Sequence, residues 1–319
     1  MPTPKIQSTK LTLWNRLGLF LLWIPIFPLS RLPKKALLGL GNLLGSLGFR
    51  LLKRRATITL GNLSRTLEAG YLSPSLNPLT TARRVFQNLA KTFLEVFCLY
   101  ARGLDYFKGR YSVLGGENLT KAIQLAQEKQ VGLILLTGHL GNWELAPHIL
   151  LEEFQLPITT VGRPQGNKIV DYILTKTRQG RGNGFISKNH GARDMLQVLR
   201  SGGTLGTLYD QAAMLEPEGV PLTFLGQVAY TNIGPAKLAL KTGALLVPLF
   251  GRRDGKNHIF EIFPPYSRPI EAGPDWILKI TQELNGVLEN FIQKYPEDWM
   301  WLHRRFKTPS GLKADPKSF

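Results

Sequence analysis

The chain predicts an α/β fold: a mainly parallel or mixed central sheet flanked by helices, preceded by a membrane-associated helical segment. Two observations carry this, and a third narrows it. From about Tyr111 onward, short apolar runs alternate with helical stretches, the pattern of strands covered by helices on both faces. Ahead of residue 56, two apolar blocks show almost no polar face, unlike helices packed on a soluble core. Neither a Gly-x-Gly-x-x-Gly turn nor a P-loop lysine motif follows any strand candidate, so a Rossmann-type nucleotide site is unsupported.

The first apolar block, Leu17–Leu29, holds thirteen residues without a charge. A spanning helix needs roughly 20, and Pro25 and Pro28 are expected to bend or end a helix. Counting back to Leu11 across Arg16 gives a marginal span. The second block, Ala36–Leu52, is glycine-rich and runs into Lys53-Arg54-Arg55. Eleven basic residues precede the first acidic one, Glu68. A signal peptide fits poorly, because no small-residue cleavage site follows and Arg31, Lys34 and Lys35 come next. The basic flanks point to the cytoplasmic side of an anionic membrane. A full span and an interfacial or re-entrant helix both fit. The expected organisation is a membrane-associated segment over residues 1–55, a catalytic domain over 56–308 and a flexible tail over 309–319.

Ala56 to Leu104 reads as two helices broken near Tyr71–Leu79. Strands are expected at Tyr111–Leu114, Val131–Leu136, Ile158–Val161, Phe185–Ser187, Thr204–Tyr209, Leu245–Phe250 and Ile259–Phe263. Helices are expected at Asn118–Glu128, Asn167–Thr177, Gly191–Leu199 and Gly234–Lys241, with an amphipathic Trp276–Gln293 closing the domain. The formal charge of +18 invites a nucleic-acid reading. The N-terminal cations argue against it, because they interrupt hydrophobic sequence and form no polar basic tail. The lone Cys98 excludes an internal disulfide framework and fits a reducing compartment.

The densest reactive group follows the second strand: Gly138-His139-Leu140-Gly141-Asn142-Trp143-Glu144. Strand ends of α/β sheets are where side chains converge on ligands. A histidine there, with a carboxylate close by, suggests a general base whose tautomer the acid fixes. At roughly 100° per residue, positions five apart on one helix diverge by about 140°. His139 and Glu144 are therefore expected to meet only with His139 in a turn and Glu144 in the first turn of the next helix. Gly138 and Gly141 permit that turn. Zinc is disfavoured, since the His-Glu-x-x-His spacing is absent and one cysteine leaves few soft ligands. Further polar stations end other strands: Arg163-Pro164 after Thr160-Val-Gly, and Asp210-Gln211 after Thr204–Tyr209. Pro221–Gly226, followed by Asn232–Pro248, is another.

Taken in order, these segments resemble the bacterial lipid A biosynthesis acyltransferases, a branch of the lysophospholipid acyltransferase superfamily. The superfamily's His-x4-Asp/Glu is matched by His139 and Glu144. The branch's arginine block is matched by Val161-Gly-Arg163-Pro164 and its Asp-Gln by Asp210-Gln211. Its closing segment is matched by Trp299-Met-Trp301-Leu-His303-Arg304-Arg305-Phe306-Lys307, and its Arg-x6-Asn-Leu by Arg55 through Asn62-Leu63. His-x4-Glu alone is a weak signal; the ordered set, over roughly residues 10–308, is a strong one. The resemblance implies transfer of an acyl chain from an acyl carrier protein thioester to a hydroxyl of a membrane glycolipid, at the cytoplasmic face of the inner membrane. His139 would be the base and Glu144 would hold its imidazole, following triad logic without an enzyme nucleophile. Arg163, or backbone amides near Gly138–Leu140, would serve the oxyanion. Asp210 would orient Arg163 or a sugar hydroxyl, and Gln211 and Asn142 are further substrate-binding candidates. No metal or redox cofactor is implied, and no nucleic acid. An acyltransferase for another glycolipid or glycerolipid, and a noncatalytic lipid-binding protein, remain open.

Overall fold

The computed structural model describes residues 12–163, 166–187, 191–213 and 219–307. Pro164 and the expected 309–319 tail lie outside them. Four helices come first: α1 (Leu13–Leu29), α2 (Lys34–Leu51), α3 (Lys53–Glu68) and α4 (Pro78–Arg102). Asn77 caps α4 by accepting the backbone N–H groups of Leu79 and Thr80, and Pro78 stands at the first helical position, where no N–H is needed. Then come β1 (Tyr111–Leu114), α5 (Gly116–Lys129), β2 (Leu133–Thr137), α6 (Ala146–Phe154), β3 (Ile158–Gly162), α7 (Lys168–Arg178), β4 (Gly184–Ser187), α8 (Ala192–Arg200) and β5 (Thr204–Leu208). The chain continues through β6 (Gly219–Phe224), β7 (Gln227–Asn232), α9 (Gly234–Thr242), β8 (Leu245–Asp254), β9 (Asn257–Ile262) and α10 (Pro274–Lys294).

Seven strands form one sheet in the order β1-β9-β8-β2-β5-β3-β4. Neighbours are parallel except β8 and β9, which are antiparallel. The central strands are covered on both faces. Ile134 and Leu136 of β2 pack with α8, α9 and α10 on one side. Leu133 and Leu135 pack with α4, α5 and α6 on the other, the period-two alternation of a strand. Residues of α4 contribute to both cores.

The β6–β7 hairpin escapes the sequence reading. Its turn residues Leu225 and Gly226 both have positive φ, 49° and 73°, as a two-residue hairpin turn requires. Leucine is a poor signal for that conformation. The Leu225 N–H is held by Glu289 Oε1 at 2.8 Å.

Helix α1 continues through Pro25 and ends one residue after Pro28, with Ser30 as its C-cap. It lies against α4 and α7: Trp23 meets Tyr100 edge-on at 5.7 Å, and a Cβ on Gly18 would stand 2.6 Å from Ile169. Ile26 is buried, while Trp14, Phe20, Leu21, Ile24 and Phe27 are exposed. In α2, Gly41 and Gly45 permit close approach to α4, since a Cβ on Gly45 would fall 2.4 Å from Gln87 Cα. Among the described residues no helix is long and apolar enough to cross a membrane.

Candidate active site

Strands β2 and β5 are parallel neighbours, and Thr137 is paired with Leu208. Two residues beyond each stand His139 and Asp210. His139 Nδ1 lies 2.9 Å from Asp210 Oδ1, and the His139 backbone N–H donates to Oδ2 at 3.1 Å. Trp299 Nε1 donates to the same Oδ2 at 2.9 Å. Asp210 is completely buried. Burial alone would raise its pKa, but the His139 imidazole and the Trp299 N–H hold it well below the usual carboxylate range. An ionised acceptor at Nδ1 places the neutral ring's proton on that nitrogen and leaves Nε2 free to accept one.

The turn carrying His139 is tightly constrained. Gly141 has φ of 55°, and a Cβ there would stand 2.8 Å from the Gly251 carbonyl oxygen; only glycine fits. The Gly141 N–H donates to the Asp298 carbonyl at 3.0 Å, and its own carbonyl accepts from Thr92 of α4 at 2.8 Å. Asn142 is buried and donates to Glu95 Oε2 at 3.0 Å. That inward bond ties the turn to α4; Asn142 is the residue expected to contact substrate. Glu95 also receives a bidentate Arg253 at 2.9 and 2.7 Å, Lys34 at 2.5 Å and His258 at 3.3 Å. Burial opposes its ionisation, but His258 and Arg253 hold its pKa well below the usual carboxylate range.

Glu144 departs from expectation. It lies in the turn before α6 and not in that helix, and its carboxylate is engaged by Arg178 at the end of α7. Arg178 Nε and Nη2 donate at 2.9 and 2.5 Å, and Trp143 Nε1 donates at 3.1 Å. Burial would raise the Glu144 pKa, but Arg178 lowers it. The position at the imidazole that the sequence assigns to Glu144 is taken by Asp210. Trp143, which donates to Glu144, also stands beside the imidazole, its ring 4.9 Å from that of His139.

Two of the expected oxyanion amides are engaged: the His139 N–H by Asp210, and the Leu140 N–H by the Gly138 carbonyl at 2.8 Å. Arg163 is exposed just past β3. Asp210 accepts from His139 and Trp299, where Arg163 or a sugar hydroxyl is the expected partner. Gln211 is exposed, with its amide nitrogen 3.4 Å from both ring nitrogens of His139. A pocket of about 500 Å³, open mouth included, lies alongside, lined by Leu135, Pro147, Leu150, Ile158 and Leu249, with Trp143, Glu144 and Arg178 in its wall.

The C-terminal segment braces this arrangement. Met300 N–H donates to the His139 carbonyl at 3.0 Å. Asn62 Nδ2 donates to the carbonyls of Trp301 and His303 at 2.9 and 3.0 Å. Buried Arg305 donates to Tyr230 O and Thr231 Oγ1 at 2.7 and 2.8 Å. Burial brings the pKa of His303 down to about 4. Glu95, Arg178 and Arg253 escape the sequence reading. Glu95 left one signal, a carboxylate on the buried stripe of α4 that runs through Val85, Thr92 and Leu99.

Fold and site together define a helix-flanked α/β protein with a histidine–aspartate pair at adjacent strand ends beside an apolar pocket. The chain belongs to the bacterial lipid A biosynthesis acyltransferase family, which matches residues 4–308, and is thus an acyltransferase. It is 30% identical over 312 residues to the lipid A biosynthesis lauroyltransferase of Escherichia coli (strain K12), covering 93% of each chain. To the lipid A biosynthesis palmitoleoyltransferase of the same organism it is 25% identical, over 92% of this chain and 90% of that one. A phosphatidylinositol mannoside acyltransferase of Mycolicibacterium smegmatis (strain ATCC 700084 / mc(2)155) is 26% identical over 72% of this chain and 73% of its own. The solved 1-acyl-sn-glycerophosphate acyltransferase PlsC from Thermotoga maritima is similar at 12% identity and a TM-score of 0.37, over 80% of this chain and 97% of that one.

Proposed function

We propose that this chain moves a fatty acyl group from an acyl carrier protein thioester to a hydroxyl of a lipid A-type glycolipid, with His139 as general base and Asp210 orienting it. The observation that carries the mechanism is the 2.9 Å contact between His139 Nδ1 and a buried, ionised Asp210. A hydroxyl is a poor nucleophile near neutral pH, and a positioned base contributes about 10²–10⁴-fold. His139 Nε2 takes the hydroxyl proton as the oxygen bonds to the thioester carbonyl carbon. The tetrahedral intermediate then collapses, the carbon–sulfur bond breaks, and the imidazolium returns the proton to the departing thiolate. Asp210 stabilises the imidazolium throughout.

In this reading Glu144 and Arg178 keep the pocket wall in shape, and the apolar pocket receives the acyl chain. Arg163 and Gln211 are the substrate-facing donors for the oxyanion or acceptor. The exposed apolar side chains of α1, with the cations of α2 and α3, rest the enzyme on the cytoplasmic face of an anionic inner membrane. Acidic carrier protein suits the net positive charge.

A second acceptor class, a mannosylated phosphatidylinositol, is favoured by the likeness to the mycobacterial-type relative. The test gives purified full-length protein either an acyl carrier protein thioester or a coenzyme A thioester, with three acceptors: a lipid A precursor, a mannosylated phosphatidylinositol and a lysophosphatidic acid. Transfer to the lipid A precursor is expected. Transfer only to either of the others overturns the acceptor assignment, and transfer only from a coenzyme A thioester overturns the donor assignment.

A further inference from the structure

The sheet places one feature of the N-terminal helices at the active-site end of the molecule. Strand β8 runs parallel to β2 and β9 runs antiparallel to β8, with β1 parallel to β9. The start of β1 therefore lies at the same end as His139, three strand spacings or about 14 Å across the sheet. Just ahead of β1, the C-terminal turns of α1 and α4 enclose a groove of about 620 Å³, open mouth included. Its lining is Trp23, Phe27, Ser30, Arg31, Ala101 and Arg102.

Two guanidinium groups face this groove. Arg31 stacks over the Phe27 ring, 3.5 Å from its centroid. Arg102 donates Nη1 to the Ser30 carbonyl at 3.0 Å and lies 5.2 Å over the Tyr106 ring. Among the described residues neither forms a salt bridge to a carboxylate. The nearby buried carboxylate, Glu95, is already committed to Lys34 and Arg253. Arg31 and Arg102 thus hold two positive charges at one groove, each fixed by an aromatic face and keeping further N–H donors free to turn outward. Beside them α1 exposes Phe20, Trp23, Ile24 and Phe27. Aromatic side chains next to arginines are what a lipid–water boundary selects, with the rings at headgroup depth and the guanidinium groups at the phosphates.

We propose that the α1–α4 groove is a lipid phosphate site, in which Arg31 and Arg102 together bind the phosphate group of a membrane lipid at the active-site end of the sheet. Guanidinium forks match phosphate oxygens in pairs, which lysine cannot do. Two sources carry that chemistry: a bulk phospholipid headgroup, or a phosphate on the glycolipid acceptor itself. Only the second rests on the acyl-transfer reading above.

Full-length Arg31→Gln/Arg102→Gln protein tests this, after a check that its Tm matches wild type. Because Arg102 also holds the Ser30 carbonyl, Arg31→Gln alone serves as the second variant. Lys53→Gln/Arg54→Gln removes the same charge from an exposed cluster elsewhere and controls for diffuse electrostatics. Flotation on neutral galactolipid vesicles, with and without phosphatidylglycerol, reads the bulk-lipid arm. The KM in phospholipid-free detergent for a phosphorylated acceptor and its phosphatase-treated form reads the acceptor arm.

If bulk phospholipid fills the groove, the double variant loses at least about tenfold in phosphatidylglycerol-dependent binding, more than the control, and its KM values stand. If the acceptor fills it, KM for the phosphorylated form rises at least about tenfold and the dephosphorylated form is unaffected. Arg31→Gln alone gives part of either loss. A double variant that matches the control in both arms overturns the proposal. Failure to acylate any glycolipid overturns the acyl-transfer reading and leaves the vesicle arm standing.

Discussion

His139 and Asp210 stand 71 positions apart in the chain, yet their imidazole nitrogen and carboxylate oxygen lie 2.9 Å apart, because Thr137 and Leu208 are register partners on β2 and β5. Each strand ends two residues short of its functional side chain. Trp299 Nε1 donates to the other carboxylate oxygen of Asp210.

Asp210→Asn therefore tests orientation separately from fold. The amide can donate to Nδ1 and so trap the tautomer whose Nε2 already carries a proton. Loss of turnover by about 10²-fold or more is expected, with KM for both substrates little changed. Steady-state kinetics on a variant of wild-type Tm measure this. Full turnover would remove Asp210 from the reaction.

Glu144→Gln has a different signature. Side chains of Arg178 and Glu144 are only 12% and 7% exposed, and breaking such a pair leaves a buried guanidinium uncompensated, at a cost of about 3–5 kcal/mol. The single variant should melt well below wild type as well as lose activity. Glu144→Gln/Arg178→Met should recover part of the stability, because both charges are gone. A Glu144→Gln enzyme of wild-type Tm would show that Glu144 acts on the substrate and not on Arg178.

Asn142→Ala releases the turn from Glu95 while leaving His139 and Asp210 in place. Loss of a buried hydrogen bond costs about 1–3 kcal/mol. A kcat loss of about tenfold with unchanged KM is expected if the bond positions the base. A raised acceptor KM at constant kcat would instead return Asn142 to the substrate site.

Asp298, whose carboxylate accepts the Arg253 N–H at 3.2 Å, is pushed by burial up to about 7. Between the ordinary aspartate value and about pH 7, the folded chain keeps a proton that the unfolded chain has lost. This group's contribution to stability is therefore present at low pH and falls as pH rises through that window. Asp298→Asn retains the acceptor without the titration. Its Tm relative to wild type should rise from pH 5 to pH 8, measured by thermal melts at constant ionic strength. A flat difference would count against the buried, protonated form.

The strand ends of this site are legible in the sequence, and their pairing is not. Apolar runs bounded by turn formers locate β2 and β5 to within two residues, and glycines mark the turn around His139. Nothing local says that β5 lies beside β2, since strand order follows from nonlocal packing. Proximity in sequence thus favoured Glu144 over the distant Asp210. Arg178 closes a helix whose local pattern gives no hint of Glu144. The β6–β7 hairpin was hidden by a leucine at positive φ, held there by Glu289. The closing Trp-x-Trp-x-His-Arg-Arg segment is legible as a motif, but its bracing of the turn that carries His139 emerges only in three dimensions.

The most direct test of the account is acyl transfer by His139→Ala in purified full-length protein, with turnover and Tm taken from one preparation. His139 is partly exposed, with its side chain 16% accessible, so its removal should leave melting close to wild type. Transfer from the thioester to the glycolipid should fall by about 10²–10⁴-fold. A well-folded His139→Ala enzyme with near wild-type turnover would contradict the general-base assignment at the centre of this account.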